Sequence, residues 1–195
     1  MHSTIFLFTF APKLKNIKQM NNKNLKFVWR ITAAHVIAYF IAGLFAMNLF
    51  NYNELFSSGT FSLFMKPTTE PIVALGVCLQ IIRGLIMALV LLPIRKVFTE
   101  EKYGFLKLGL VIFGLSVLST FAAAFGSIDG FIYTNAPFIE QIIGYPEAIL
   151  WLSLFMGILW TIYKFEKKSI NITVIVLFIL IVLMSIAGYF AAINV

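Results

Sequence analysis

Charge is scarce in this chain, and negative charge scarcest. Asp, Glu, Lys and Arg make up 12% of 195 residues, with 8 acidic against 15 basic, while 61% are hydrophobic. Soluble domains carry about 25% charged and about 45–50% apolar residues, so the deficit points to an integral membrane protein. All eight acidic residues lie in loops or at the ends of the apolar runs, Glu147 at the start of one, which excludes paired intramembrane aspartates as a catalytic device. The single cysteine, Cys78, excludes an intrachain disulfide and a cysteine metal cluster. It sits within an apolar run, where a thiol is unreactive, and is read as a packing residue. Of the two histidines, His2 lies outside the apolar runs and only His35 lies inside one. Bis-histidine haem ligation within one chain and a zinc site of three or four ligands are thereby excluded. HExxH, GxSxG and a phosphate-cradling loop are also absent. The expectation is a protein that is not an enzyme, with no catalytic residues, cofactor or metal.

What the chain does have is length of apolar run. Five segments, over about residues 27–50, 71–93, 105–126, 146–163 and 172–193, qualify as membrane helices, since roughly 20 apolar residues cross a bilayer. The expected fold is an all-α integral membrane protein, a five-transmembrane-helix bundle occupying residues 27–195 as one domain. Residues 1–26 form a basic segment ahead of it. Residues 1–19 do not make a signal peptide, because the short apolar stretch precedes the lysines and no small-residue cleavage site follows. Met20 opens a more conventional start, MNNKNLKFVWR, and the residues before it are read as not native or as a tail.

Thirteen of the 15 basic residues fall in three regions: the amino-terminal stretch to Arg30, the loop from Arg95 to Lys107, and the loop from Lys164 to Lys168. By the positive-inside rule these face the cytoplasm, so the amino terminus is cytoplasmic and the carboxy terminus outside. The net charge of +7 is a topology signal, and nucleic acid is not an expected partner. Richness in Ile, Phe, Lys and Asn suits a bacterium, giving a multi-pass protein of the bacterial cytoplasmic (inner) membrane.

The two outer loops, NYNELFSSGTFSLFMKPTTE and SIDGFIYTNAPFIEQIIGYP, are unusually apolar. They are expected to pack as a cap over the bundle or to dip into it where protein or a water cavity shields their backbone. The stretch GSIDGFIYTNAP looks like a motif, with no activity to attach to it.

The first helix carries a ridge of small residues at Ala34, Ala38, Ala42 and Ala46. The second carries Gly76, Gln80, Gly84 and Ala88 at the same spacing. Such rows let membrane helices approach closely, so these two are expected neighbours. The third adds Gly109, Ser116, Thr120 and Ala123 or Ala124, while the fifth is bulky until Ser185 and Gly188 and is expected to face lipid.

Arg83, near the middle of the second run, is the most informative residue. An arginine at a helix centre costs about 2.5–3.5 kcal/mol on insertion scales, so protein, water or a ligand must solvate it. Gln80 shares its helix face, and His35 and Tyr39 lie at similar depth on the first helix. These four are the candidate solute-binding residues, and Asp129, Glu140 and Glu147 a candidate outer mouth. The expected function is transport or permeation of a small polar or anionic solute around Arg83. The alternative is a sensor, immunity protein or assembly factor that binds another membrane protein. Expected partners are the bilayer, such a solute, and a second copy or a membrane-protein partner.

Overall fold

The computed structural model describes residues 3–120 and 123–194, with the side chains of the first helix described from residue 22 onward. His2 lies outside the described residues, and the reading of Met20 as the start falls on side chains outside that description. Among the described residues the regular structure is helical, with no strand. Four helices are long and apolar enough to cross a membrane, over Asn22–Phe50, Pro71–Thr99, Phe138–Phe165 and Lys168–Ile193.

Local chemistry sets the boundaries. Helix α1 (Ser3–Phe50) stops at Asn51, whose φ of 45° is left-handed, a conformation that asparagine tolerates well. A short helix α2 (Tyr52–Leu55) and a 3-10 turn (Phe61–Leu63) follow. Helix α3 (Pro71–Leu91) has proline in its first turn, where the missing N–H costs nothing. Pro93 then turns the chain through a 3-10 segment into α4 (Arg95–Thr99). The connection to α5 (Gly104–Phe113) requires glycine: a Cβ on Gly104 would lie 2.3 Å from the Phe98 carbonyl oxygen. After α6 (Ile128–Tyr133) and α7 (Phe138–Ile142), α8 (Tyr145–Phe165) again starts with proline in its first turn. Helix α9 (Lys168–Ile193) completes the chain.

Helix α1 is the central post, packing chiefly against α3 and α8 and also against α9. Ala34, Ala38, Ala42 and Ala46 are all fully buried, because only methyl side chains fit between backbones this close. Around them Ile31, Leu108, Phe155 and Leu159 fill the core. Helix α9 buries little beyond Val174, Ile181 and Ser185, and leaves residues such as Ile179, Leu183 and Met184 exposed. Ser185 is its polar anchor. The hydroxyl donates to the Ala74 carbonyl at 2.7 Å and accepts from the Cys78 N–H at 3.1 Å. Those two groups stand four apart on α3, so one hydroxyl from α9 bridges a donor and acceptor of the neighbouring helix ladder.

The third expected helix is corrected by the structure. Instead of a continuous helix over 105–126, α5 passes into a π-helical turn (Gly114–Leu118) and ends at Ser119, where φ is −119° and ψ 52°. Residues 119–120 and 123–126 are not helical, and 121–122 lie outside the described residues. The physical reason is competition for backbone groups. Ser127 Oγ donates to the Ala124 carbonyl at 2.6 Å, and the Gln141 side chain accepts from the Gly126 N–H at 3.0 Å. The chain there is bonded into the following loop and not into a helix ladder. Among the described residues, four long apolar helices and one short broken one therefore stand where the sequence predicts five membrane-spanning helices.

The bundle has two chemically distinct ends. The stretch of α1 from Lys23 to Arg30, α4 and the C-terminal end of α8 bring Lys23, Lys26, Arg30 and Arg95 together at a basic end. The residues between α1 and α3 and those from Ala124 to Tyr145 meet at the opposite, cap end, where Phe125 packs against Phe61 and Phe64.

Candidate functional site

The cap is built by hydrogen bonds that the composition of its loops conceals. Gly126 adopts a φ of 79°, and the Tyr145 hydroxyl donates to its carbonyl at 2.6 Å. Ser127 caps α6 by accepting from the Gly130 N–H at 3.0 Å. A Cβ on Gly130 would lie 2.2 Å from the Ala124 carbonyl oxygen, so this approach also needs glycine. Gln141, 3% exposed, holds the centre. Besides accepting from Gly126, it donates to the Gly130 carbonyl at 3.0 Å and to Thr134 Oγ1 at 2.6 Å. The motif-like GSIDGFIYTNAP is thus a structural unit: Gly126, Ser127, Gly130 and Thr134 are its parts, and Gln141 is the residue they close around.

Beneath this cap lies a cavity of about 830 Å³. Apolar side chains such as Phe40, Val77 and Phe125 line much of it, together with Arg83, Tyr39, Tyr52, Glu140 and Glu147. The broken end of α5 contributes Ser116, Val117 and Thr120 to the wall. The volume lies within the range of small-molecule pockets, roughly 300–1,000 Å³.

Arg83 and Tyr39 of the expected quartet line the cavity, whereas His35 and Gln80 do not. His35 is fully buried and its Nε2 is 3.1 Å from Gln80 Oε1. With the amide oxygen as acceptor, the imidazole proton sits on Nε2. The ring lies edge-on to Trp151 at 5.5 Å between centroids, while Nδ1 has no hydrogen-bond partner. This pair therefore joins α1 to α3 inside the packed seam. Gly84 belongs to the same seam, since a Cβ there would lie 3.1 Å from Thr32 Cα and 3.3 Å from His35 Cδ2. Ala88 is fully buried, but Gly76 opens onto the cavity with nothing within 4 Å of an added Cβ. The expected ridge thus divides, Gly84 and Ala88 packing while Gly76 lines space.

The expected acidic mouth also divides. Glu140 and Glu147 line the cavity; Asp129 sits in the first turn of α6 and is not part of the wall. Among the described residues no carboxylate forms an ion pair with Arg83. Glu147 instead accepts a short hydrogen bond from the Tyr52 hydroxyl. Burial, reinforced by that bond, pushes the Tyr52 hydroxyl well above its ordinary range, so Tyr52 is a neutral donor. Glu140 Oε2 and Trp151 Nε1 are buried without a hydrogen-bond partner among the described residues, and both residues line the same cavity.

Sequence reasoning missed Tyr52, Gln141 and Tyr145. Gln141 carried a signal, a neutral amide within the apolar stretch FIEQIIGYP, because a polar side chain buried among Ile and Phe needs partners. No group of three or more His, Cys, Asp or Glu residues suited to a metal ion occurs among the described residues. No protein-family model, curated protein or solved structure matches the chain.

Proposed function

We propose that this chain is a multi-pass protein of a bacterial cytoplasmic membrane that binds and passes a small anionic solute at the Arg83 cavity. In this reading the amino terminus and the basic end are cytoplasmic and the cap faces outward. The observation that carries it is an arginine with no carboxylate partner among the described residues, on the wall of a capped cavity. A guanidinium presents five N–H donors in a planar fork that matches carboxylate and phosphate. The apolar remainder of the wall favours an anion attached to an apolar body. Tyr39, Glu147 and the hydroxyls of the α5 break supply polar contacts along its path. The chain is not assigned an enzymatic activity.

Native mass spectrometry of protein extracted gently from its own membrane tests this. The wild type is expected to retain a small acid whose occupancy falls about 10–100-fold in Arg83→Gln, the cost of a lost hydrogen bond to a charged group. Arg83→Lys should keep part of it. Equal retention by all three proteins, or unchanged solute flux in vesicles carrying Arg83→Gln, would remove the assignment.

One observation favours a second reading, a partner-binding membrane protein. The cap exposes large apolar side chains, including Leu63 (80%), Tyr133 (74%) and Phe138 (70%), and patches of this kind mark contact surfaces. Co-extraction of a defined protein complex, lost on Leu63→Ser and Phe138→Ser, would support that reading.

A further inference from the structure

The basic end contains a second cavity, of about 300 Å³, remote from Arg83. Its lining brings together Lys23, Lys26, Arg30 and Arg95 with Glu100 and Glu166, beside the buried ring of Phe27. Basic groups therefore outnumber acidic ones by four to two. Three separate stretches of chain supply these residues, so this is not the solvated face of a single helix.

Both arginines are held in place. Arg95 Nε donates to Asn24 Oδ1 at 2.9 Å. The Arg30 guanidinium lies 4.4 Å from the centre of the Tyr163 ring, with its side chain 11% exposed. Its guanidinium also pairs with the exposed Glu166 carboxylate at 3.6 Å, and with five N–H donors a guanidinium keeps capacity for a further acceptor. Lys23 and Lys26 are exposed and form no ion pair among the described residues.

The surroundings of the pocket suit a membrane surface. Exposed Leu25 and Trp29 flank it on α1, and at the same end of α8 the Lys164 ammonium sits 4.1 Å from the centre of the Trp160 ring. Aromatic and basic residues mixed at the end of apolar helices are characteristic of the lipid headgroup region. Basic pockets between membrane helices on that side bind anionic headgroups.

We propose that this pocket binds a phosphate group, carried by an anionic membrane lipid. Arg30 and Arg95 are the fixed donors, and the exposed Lys23 and Lys26 reach the phosphate from the solvent side. The site is independent of the Arg83 reading and shares no residue with it.

The test uses the full-length protein in detergent, titrated separately with phosphatidylglycerol, phosphatidylcholine and inorganic phosphate. Bound adducts are counted by native mass spectrometry and thermal stability is followed in parallel. Phosphatidylglycerol is expected to bind and stabilise where phosphatidylcholine does not. Each neutralised cation should weaken it roughly fivefold, so the double variant K23Q/K26Q should lose about 25-fold. Arg95→Gln is the second variant. Stabilisation by inorganic phosphate alone, with the same dependence on these residues, would keep the phosphate site and overturn its lipid source. Equal binding of both lipids, or an adduct indifferent to K23Q/K26Q and to Arg95→Gln, would overturn the proposal.

Discussion

Two glycines on α3 offer a controlled comparison, because one alanine substitution should act in opposite directions at the two positions. At Gly84 the new methyl would lie 3.1 Å from Thr32 Cα, 3.2 Å from Thr32 Cγ2 and 3.3 Å from His35 Cδ2. Favourable carbon contacts begin near about 3.5 Å, so α1 and α3 must separate by several tenths of an ångström. The nearest obstacle is backbone, on a helix gripped by α3, α8 and α9, and cannot swing aside. Overpacking of this kind costs about 1–3 kcal/mol. The same displacement stretches the 3.1 Å bond between His35 and Gln80 towards breaking, for about 1 kcal/mol more. Replacing a helical glycine returns up to about 1 kcal/mol, leaving Gly84→Ala destabilised by about 1–3 kcal/mol. At Gly76 the methyl meets nothing within 4 Å, so only the propensity gain remains and Gly76→Ala should be neutral or more stable by up to about 1 kcal/mol. Unfolding by titration of a denaturing detergent into a mild one, followed by circular dichroism, measures both. Equal stability of Gly84→Ala and the wild type would refute the close helix crossing on which this reasoning depends.

Two further perturbations probe the cap. Gln141→Leu keeps side-chain bulk but leaves the Gly126 N–H buried without its partner, and should destabilise the protein by about 2–4 kcal/mol; hydrogen exchange should rise at Gly126 while α9 stays protected, and uniform exchange would contradict the network. Tyr52 holds its proton more tightly in the folded state, so its contribution is complete below about pH 10, the ordinary tyrosine value, and falls as pH rises beyond it. Thermal unfolding against pH should therefore show a shallower alkaline loss in Tyr52→Phe than in the wild type, and identical slopes would refute the burial of a neutral Tyr52 hydroxyl.

The long helices were legible because apolar length is a one-dimensional property: Pro71 and Pro146 mark helix starts, and alanines spaced by four mark the buried face of α1. The break after Leu118 was not, because residues 119–126 are apolar enough to continue a helix. What diverts them is Gln141, more than a dozen positions away in the sequence. The polar quartet was legible as a neighbourhood and illegible as a division of labour. Helical spacing placed Gln80 and Arg83 on one face, but only the packed structure shows the first bonded to His35 and the second facing a cavity. The acidic mouth failed at Asp129 for a related reason: a loop position carries no register from which a direction can be inferred.

The shortness of α5 has a consequence for the surrounding medium. Ten residues of α-helix and a five-residue π turn rise about 20 Å, against a hydrocarbon thickness of about 30 Å. A bilayer enclosing the four long helices would meet this segment with a hydrophobic mismatch of about 10 Å on one flank only. Lipid adapts to such a deficit by thinning locally, at fractions of a kcal/mol per ångström. The strain would be concentrated beside the cavity wall that α5 completes. Acyl-chain length would then act directly on the cavity, so that thinner membranes relax the α5 flank and thicker ones press upon it.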